Sequence, residues 1–520
     1  MAQSKKEQSN SKLLVLGAVC LSGVAMPLSF TGPAVAMPAI AIDLGGSPIA
    51  LNWITNAFML SFGSILMAAG AMADNYGRKR MFLIGISSFA LTSLALVFSP
   101  NILCLDILRA LQGAASAMTL SSGAATLAQE FDDHARTRAF SVLGTTFGVG
   151  LAFGPILAGY MTEHFGWRSI FLGVALSSLI ASGAGMLCIR ESRDPDAGSL
   201  DCSGAVSFTA ALTLFTCGVL RAPENGWASP VVLSLLAGSS ILLSIFVWFE
   251  MHVARPMLDL SLFRYPRFIG VQFLAAAPAY CYVVLLVLMP MRLIGIEGYR
   301  PLQAGQMMIA LSAPMLIFPM IAGLLTRWFS AALISGLGLL VAAAGLVWLA
   351  QCAPGLPANA LVLPMLTIGL GVSFPWGLMD GLAVSVVPKE RAGMATGIFN
   401  TTRVAGEGIA LAIAGAILNA LLQSNLAGML KDDRLASSPL LFEAAQRLAL
   451  GDIPRTLALL PQTNRMVLLQ SYGDGFHVLL YILAAITITA AAMVFGFLSR
   501  QEASGTENAK DISMVPAIIQ

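Results

Sequence analysis

Residues Gly70 to Arg80 read G-A-M-A-D-N-Y-G-R-K-R and lie between two long apolar stretches, Asn52 to Ala73 and Met81 to Phe98. Four charges and two glycines are compressed into one short turn. Asp74 closes the first stretch, and Arg78, Lys79 and Arg80 open the second, so both helices end in charge at one membrane face. Gly77 lets the chain turn with φ > 0, and Gly70, one turn before Asp74, is expected to permit a close helix contact. A basic residue beside the start of a helix opposes the helix dipole, so an acid is expected nearby.

Composition agrees with this setting. Of 520 residues, 57% are hydrophobic and 11% charged, which excludes a water-soluble surface. The net charge of +2 comes with no basic tract, and nothing points to nucleic acid. Seven cysteines, odd in number and without a C-x-x-C pair, read as small core residues rather than a metal or redox site. No cofactor or metal is expected, and no enzyme signature is visible. The apolar run after Lys12 exceeds a signal-peptide core, so it reads as a first span that stays.

A bilayer core of roughly 30 Å needs about 20 apolar residues per helix, and fourteen such runs follow one another from 13–40 to 476–498. Pro27, Pro33, Pro38, Pro155, Pro314, Pro319 and Pro375 lie inside them, predicting kinks or tilt. With an even number of spans the termini share one side. Placing them in the cytoplasm puts most Lys and Arg inside, including Arg78, Lys79, Arg80, Arg136, Arg138, Lys389 and Arg391, while the short outer loops hold only Arg168, Arg221, Arg292 and Arg300. The expected organisation is a cytoplasmic tail (1–12), a six-helix half (13–190), a linker with two extra helices (191–266), a second six-helix half (267–498) with a long outer loop at 423–475, and a polar cytoplasmic tail (499–520). The outer loop contains K-D-D-R at 431–434 and an apolar helical pattern at 441–450, read as a surface helix or two or else as a cap. Faint echoes relate the halves: D-D-H-A-R-T-R-A before span 5 and P-K-E-R-A-G-M-A before span 13, with Gly323 to Arg327 as a degraded copy of Gly70 to Asp74. Repeated halves place a substrate site at their interface near the midplane.

Several segments carry polar groups that lipid penalises. Arg109, in L-D-I-L-R-A-L-Q-G, costs about 3 kcal/mol or more to insert and should face a cavity or partner, and Asp106 at i−3 shares its helix face. Span 5 reads G-T-T-F-G-V-G-L-A-F-G-P-I-L-A-G, in which Gly148, Gly150 and Gly154 remove side chains along the helix and Pro155 bends it; packing alone would explain it. In span 13, Arg403 and Glu407 stand four residues apart, with Glu407 roughly 16 Å into the helix at 1.5 Å per residue. Opposing effects of burial and the neighbouring Arg could poise Glu407 for proton exchange. A permanent Arg403–Glu407 ion pair is the alternative.

These segments resemble the major facilitator superfamily. The Gly70–Arg80 turn is similar to its G-x-L-a-D-r-x-G-r-k-r loop, Arg109-x-x-Gln112-Gly113 to its span-4 motif, Gly154-Pro155-x-x-Ala-Gly159 to its exporter-associated span-5 motif, and Trp53 to Leu60 to its span-2 pattern with Phe58 for Tyr. Fourteen spans fit its drug:proton antiporter group. The resemblance implies an all-α membrane protein with two six-helix halves and two extra central helices. It further implies a cytoplasmic gate (Gly70, Asp74, Gly77, Arg78, Arg80), a proton-coupling role for Arg109 and an antiporter motif (Gly150, Gly154, Pro155, Gly159). The residues themselves add Asp106, Arg403 and Glu407 as proton-coupling candidates, although a small residue is usual in the family at Glu407, with Asp380 as a gate ion-pair partner and a mostly apolar cavity touching Gln112, Trp53, Asn56 and Ser29. One departure is pointed. Where the group carries L-D-x-T in span 1, this chain has Leu28-Ser29-Phe30-Thr31, without the carboxylate.

The expectation is a proton-coupled exporter of hydrophobic or amphipathic small molecules in a bacterial inner membrane, with protons, substrate and lipid as its partners. The alternatives are an exporter of an endogenous organic anion such as a siderophore, or a non-transporting sensor or assembly partner. The sequence does not set the oligomeric state, and a monomer is compatible with it.

Overall fold

The structure, a computed structural model, describes residues 2–131, 133–193, 201–253, 258, 260–357, 359–387, 392–430 and 439–498. Among them, fourteen helices are long and apolar enough to cross a bilayer: Lys12–Leu44 (span 1), Pro48–Tyr76 (2), Arg78–Val97 (3), Ile102–Glu130 (4), Val142–Phe165 (5), Arg168–Cys188 (6), Ser203–Ala222 (7), Pro230–His252 (8), Pro266–Ile296 (9), Pro301–Leu325 (10), Ala331–Ala350 (11), Asn359–Ala383 (12), Gly397–Met429 (13) and Arg465–Leu498 (14). Lipid forces this outcome, because a helix satisfies its own backbone groups where water cannot.

Local chemistry sets several helix starts. The Ser47 hydroxyl accepts from the amide of Ala50, with Pro48 at the first helical position of span 2. Asn101 caps span 4 in the same way, Ser229 with Pro230 starts span 8, and Ser330 starts span 11. Span 10 is interrupted at Ala313, between the helices Pro301–Ser312 and Pro314–Leu325. In span 9, Pro278 precedes a π-helical turn, Ala279–Val283, and a second one, Arg292–Ile296, ends the span.

Spans 1–6 pack together (2 on 4, 1 on 5, 3 on 4 and 6), as do spans 9–14 (11 on 12 and 14, 9 on 14). The halves meet mainly where span 5 lies on span 10 and span 2 on span 13. Span 7 lies over the second of these seams, touching both span 2 and span 13. Span 8 packs on span 7 and leaves Leu233, Ile241, Leu243 and Trp248 exposed, as a lipid-facing helix does.

Three expectations change. The first helix runs from Ala2, so the polar residues before Lys12 continue it rather than forming a separate tail. The outer segment is shorter than 423–475, because the helix containing span 13 extends to Leu430 and the last helix starts at Arg465. The reason is packing: Leu422, Leu426, Leu468 and Tyr472 are buried against the bundle, although the local sequence is too polar to read as membrane core. Between them lie the helices Pro439–Ala449 and Ile453–Leu459, and the apolar face Leu441, Ala444, Ala445 and Leu448 of the first is fully buried. Arg292, read as an outer-loop residue, belongs to the π-helical end of span 9. It is 2% exposed, pairs with Glu297 at 3.2 Å and donates to the carbonyl of Cys352 at 2.7 Å. K-D-D-R at 431–434, Lys389, Arg391 and the tail 499–520 lie outside the described residues, and most side chains of the two inner-loop echoes do as well.

Candidate functional site

Arg109 is fully buried, and four helices converge on it. Its Nε donates to the carbonyl of Ile54 in span 2 at 2.8 Å, and its Nη1 donates to the Ser29 hydroxyl in span 1 at 3.1 Å and to Gln112 Oε1 at 2.5 Å. Gln112 in turn donates to the Ser93 hydroxyl of span 3 at 2.7 Å, which donates to the carbonyl of Phe89. The guanidinium also sits 4.2 Å from the centre of the Phe58 ring, a desolvated cation–π contact of about 2 kcal/mol. Gly113 makes the approach feasible, since a Cβ there would stand 2.2 Å from the carbonyl oxygen of Phe58. The R-x-x-Q-G spacing thus has a physical reason: Arg and Gln form the network, and Gly lets span 4 press against the backbone of span 2.

Two expectations about this cluster are revised. Asp106 makes no hydrogen bond to it, its buried Oδ1 having no partner, and acts on Arg109 only through charge. Ser29 and Gln112, assigned to a cavity, are instead fully enclosed in the Arg109 network. Ser29 occupies the place of the missing carboxylate, so a hydroxyl rather than an anion meets the buried cation.

At the charged turn, Gly77 has φ 110° and its amide donates to Ala73. Asp74 Oδ1 accepts from Arg78 Nη2 at 2.8 Å and from Nε at 3.1 Å, and Arg78 Nη1 also reaches Gln129 of span 4. The expected acid is Glu191, just after span 6. Its two oxygens accept the amides of Lys79 and Arg80, each at 3.2 Å, capping span 3. A Cβ on Gly77 would lie 2.6 Å from Glu191 Oε1, a contact that the exposed Glu191 side chain can relieve by moving, so it is φ that makes the turn need glycine. The Arg80 side chain is exposed. Gly70 does not have the role expected of it: the nearest atom to a Cβ there is Ser121 Oγ at 4.0 Å, which leaves room for a side chain. The close approach between spans 2 and 13 is made by Gly63, whose Cβ would lie 2.6 Å from the amide nitrogen of Ala405.

The span-5 glycines touch both halves. A Cβ on Gly150 would meet the carbonyl of Val24 at 2.8 Å, and one on Gly154 would meet Thr31 Oγ1 at 2.3 Å, both in span 1. A Cβ on Gly159 would lie 2.3 Å from the carbonyl oxygen of Pro301, and one on Gly305 2.5 Å from that of Pro155, so spans 5 and 10 meet backbone to backbone. Beyond them, Glu163 accepts the amide of Leu302 at 3.3 Å and stands 3.6 Å from Arg300.

In span 13, Arg403 turns away from Glu407. Its Nη2 donates to Asn400 at 2.8 Å and its Nη1 reaches Asp380 of span 12 at 3.5 Å, while the guanidinium lies 5.8 Å and 5.5 Å from the Trp376 and Phe399 ring centres. The structure therefore joins Asp380 to Arg403 in place of a direct Arg403–Glu407 pair. Glu407, one turn further along, is partly buried. The glycines flanking it face the other half and span 9: a Cβ on Gly408 would lie 3.2 Å from the Met59 Cβ, and one on Gly406 would lie 3.9 Å from Ala276. Glu407 stands where the two halves meet. Sequence reasoning missed Glu191, Gln129 and Ser93; of these only Glu191, an acid among basic residues after span 6, left a readable signal.

Comparison with known proteins agrees with this architecture. The family model described as Major Facilitator Superfamily matches residues 19–411. Multidrug resistance protein Stp of Mycobacterium tuberculosis is 31% identical over 401 residues, covering 75% of this chain and 73% of the relative. Multidrug efflux pump LfrA of Mycolicibacterium smegmatis is 28% identical over 503 residues, covering 94% and 96%. Among solved structures, a bacterial homologue of the human lysosomal transporter Spinster, in an inward-facing and occupied conformation, superposes with a TM-score of 0.62 at 14% identity, covering 94% of this chain and 96% of that one, a likeness of fold alone. The chain is a multi-pass membrane protein and belongs to the Major Facilitator Superfamily.

Proposed function

We propose that this chain exports hydrophobic or amphipathic small molecules, drugs among them, across a bacterial inner membrane by alternating access coupled to protons, with both termini in the cytoplasm. The efflux pumps among its relatives support export. The concentration of Lys and Arg on the side of the Gly70–Arg80 turn supports the orientation. Coupling rests on one observation: Glu407, a carboxylate in span 13, stands at the interface of the halves without the Arg403 ion pair that would hold it permanently charged. Such a group can bind and release a proton as the halves rock. Arg109 holds spans 1 to 4 as one rigid body, and the Asp74–Arg78–Glu191 cluster fixes the turn between spans 2 and 3. The test is dye accumulation in everted vesicles under an imposed proton gradient; no accumulation overturns the reading.

The hydroxyl facing Arg109 favours a second reading. Where the drug:proton antiporter pattern carries an Asp in span 1 this chain has Ser29, and an organic anion made by the cell is the cargo that a missing carboxylate would suit. Retention of a metabolite in deletion cells, with no dye movement in vesicles, would select it.

A further inference from the structure

At the ends of the spans opposite the Gly70–Arg80 turn, each half leaves one helix terminus without a charge of its own. Span 10 opens with Pro301 and has no acid in its first turn. Span 1 ends at Leu44 and has no basic residue in its last turn. The first amides and the last four carbonyls of a helix have no partner within it, and the helix dipole favours an anion at the first terminus and a cation at the second.

Both charges come from the other half. Glu163, at the end of span 5, accepts the amide of Leu302 at 3.3 Å, and its second oxygen stands 3.6 Å from Arg300. Arg455, in the outer helix Ile453–Leu459, donates from Nη1 to the carbonyl of Ala41 in span 1 at 3.3 Å. That helix belongs with the second half. It packs on span 14 and on the helix Pro439–Ala449, which lies mainly against span 13. Gly451, between the two outer helices, meets the end of span 9, where a Cβ on Gly295 would stand 2.5 Å from the Gly451 Cα. Asp452 Oδ2 lies 3.6 Å from the same Arg455 nitrogen, so the arginine keeps an ion-pair partner in its own half if Ala41 is released. The two contacts stand on different seams, and both must break before the halves can part on this side.

We infer that Glu163 and Arg455 form a reciprocal outer latch, in which each half completes a helix terminus of the other and so holds the outer mouth closed. The inference rests on the alternating-access and orientation readings and adds to them the contacts that oppose outward opening. Both side chains reach solvent, at 24% exposure for Glu163 and 42% for Arg455. Each contact is therefore worth a factor of about two to five in the closed-to-open ratio, the scale of a charge at an exposed helix terminus. Two latches of that strength favour the closed mouth without locking it.

The test weakens one latch and reads the other, in the purified full chain in micelles. Parting of the halves frees the Leu302 amide whichever latch is weakened, and its exchange with deuterium then scales with the open population. Arg455→Ala is expected to speed exchange in the peptide 300–306 about two- to fivefold. In the reverse direction, Ala41→Cys places a thiol at a position 8% exposed, and its modification by a membrane-impermeant maleimide is followed by mass spectrometry of that peptide. Adding Glu163→Ala is expected to speed this modification by the same factor. Either remote reading staying at its unweakened rate overturns the latch, because a contact that only holds its own surroundings would not move the other seam. If one variant does not fold, the other decides alone. Remote coupling in a chain that takes up no dye in everted vesicles keeps the latch and removes the exporter reading; dye uptake with a remote reading unchanged removes the latch alone.

Discussion

Removing the partners of Arg109 one at a time should destabilise the first half in a fixed order. Gln112→Leu takes away the bond to Arg109 Nη1 and the bond to Ser93. A hydrogen bond to a charged group contributes about 1.5–3 kcal/mol and a neutral one about 0.5–1.5 kcal/mol, so the loss is about 2–4.5 kcal/mol. Ser29→Ala removes only the 3.1 Å bond, a loss of about 1.5–3 kcal/mol. Ser93→Ala leaves the cation untouched and costs about 1 kcal/mol. Because Nη2 already lacks a hydrogen-bond partner and no carboxylate oxygen bonds to the guanidinium, each lost bond falls on a cation with few alternatives. Thermal unfolding in detergent, followed by tryptophan fluorescence, reads the order. The double variant Ser29→Ala with Gln112→Leu should depart from additivity by more than about 0.5 kcal/mol, since both residues bind the same nitrogen. An additive double variant, or Ser93→Ala costing most, would refute the description of Arg109 as the shared centre of the four-helix clamp.

Other outcomes follow from the same geometry. Glu191→Ala removes the cap on the first amides of span 3 and should cost about 0.5–2 kcal/mol, read as a lower unfolding temperature; Glu191→Gln, which keeps an acceptor, should recover part of it. Gly159→Leu places a side chain where the Pro301 carbonyl lies 2.3 Å from a Cβ. It should separate spans 5 and 10 at that end and increase labelling of a cysteine introduced at residue 302, and unchanged labelling would contradict the close contact. Asp380→Asn removes the carboxylate charge facing Arg403 from a pair 57% exposed on the Asp side. It should shift stability by under about 1 kcal/mol, as exposed pairs do.

Much of this arrangement is legible in the sequence, because lipid leaves few options. Apolar runs bounded by Ser-Pro, Asn or Gly had to become spans, and Arg109 had to find partners among neighbouring helices. Glu191 was foreseeable as a type of residue, an acid for the start of span 3, though not by position. What the sequence hides is rotation about each helix axis. Arg403 and Glu407 share a helix face at i and i+4, yet the guanidinium reaches Asp380 on another span because Trp376 and Phe399 flank it. Gly70 fits the loop pattern, but the tight contact of span 2 with span 13 is made two turns earlier by Gly63. Leu422 to Leu430 and Arg465 to Tyr472 are too polar on average to read as membrane core, and only tertiary packing of their apolar faces makes them helical extensions.

The most direct test of the account is proton-driven dye uptake into everted vesicles by wild type and by Glu407→Gln at matched protein levels, with Asp380→Asn as the comparison. The account predicts that Glu407→Gln loses the response to the imposed proton gradient while still binding dye, and that Asp380→Asn keeps it. Gradient-dependent uptake by Glu407→Gln at the wild-type rate would contradict the central claim.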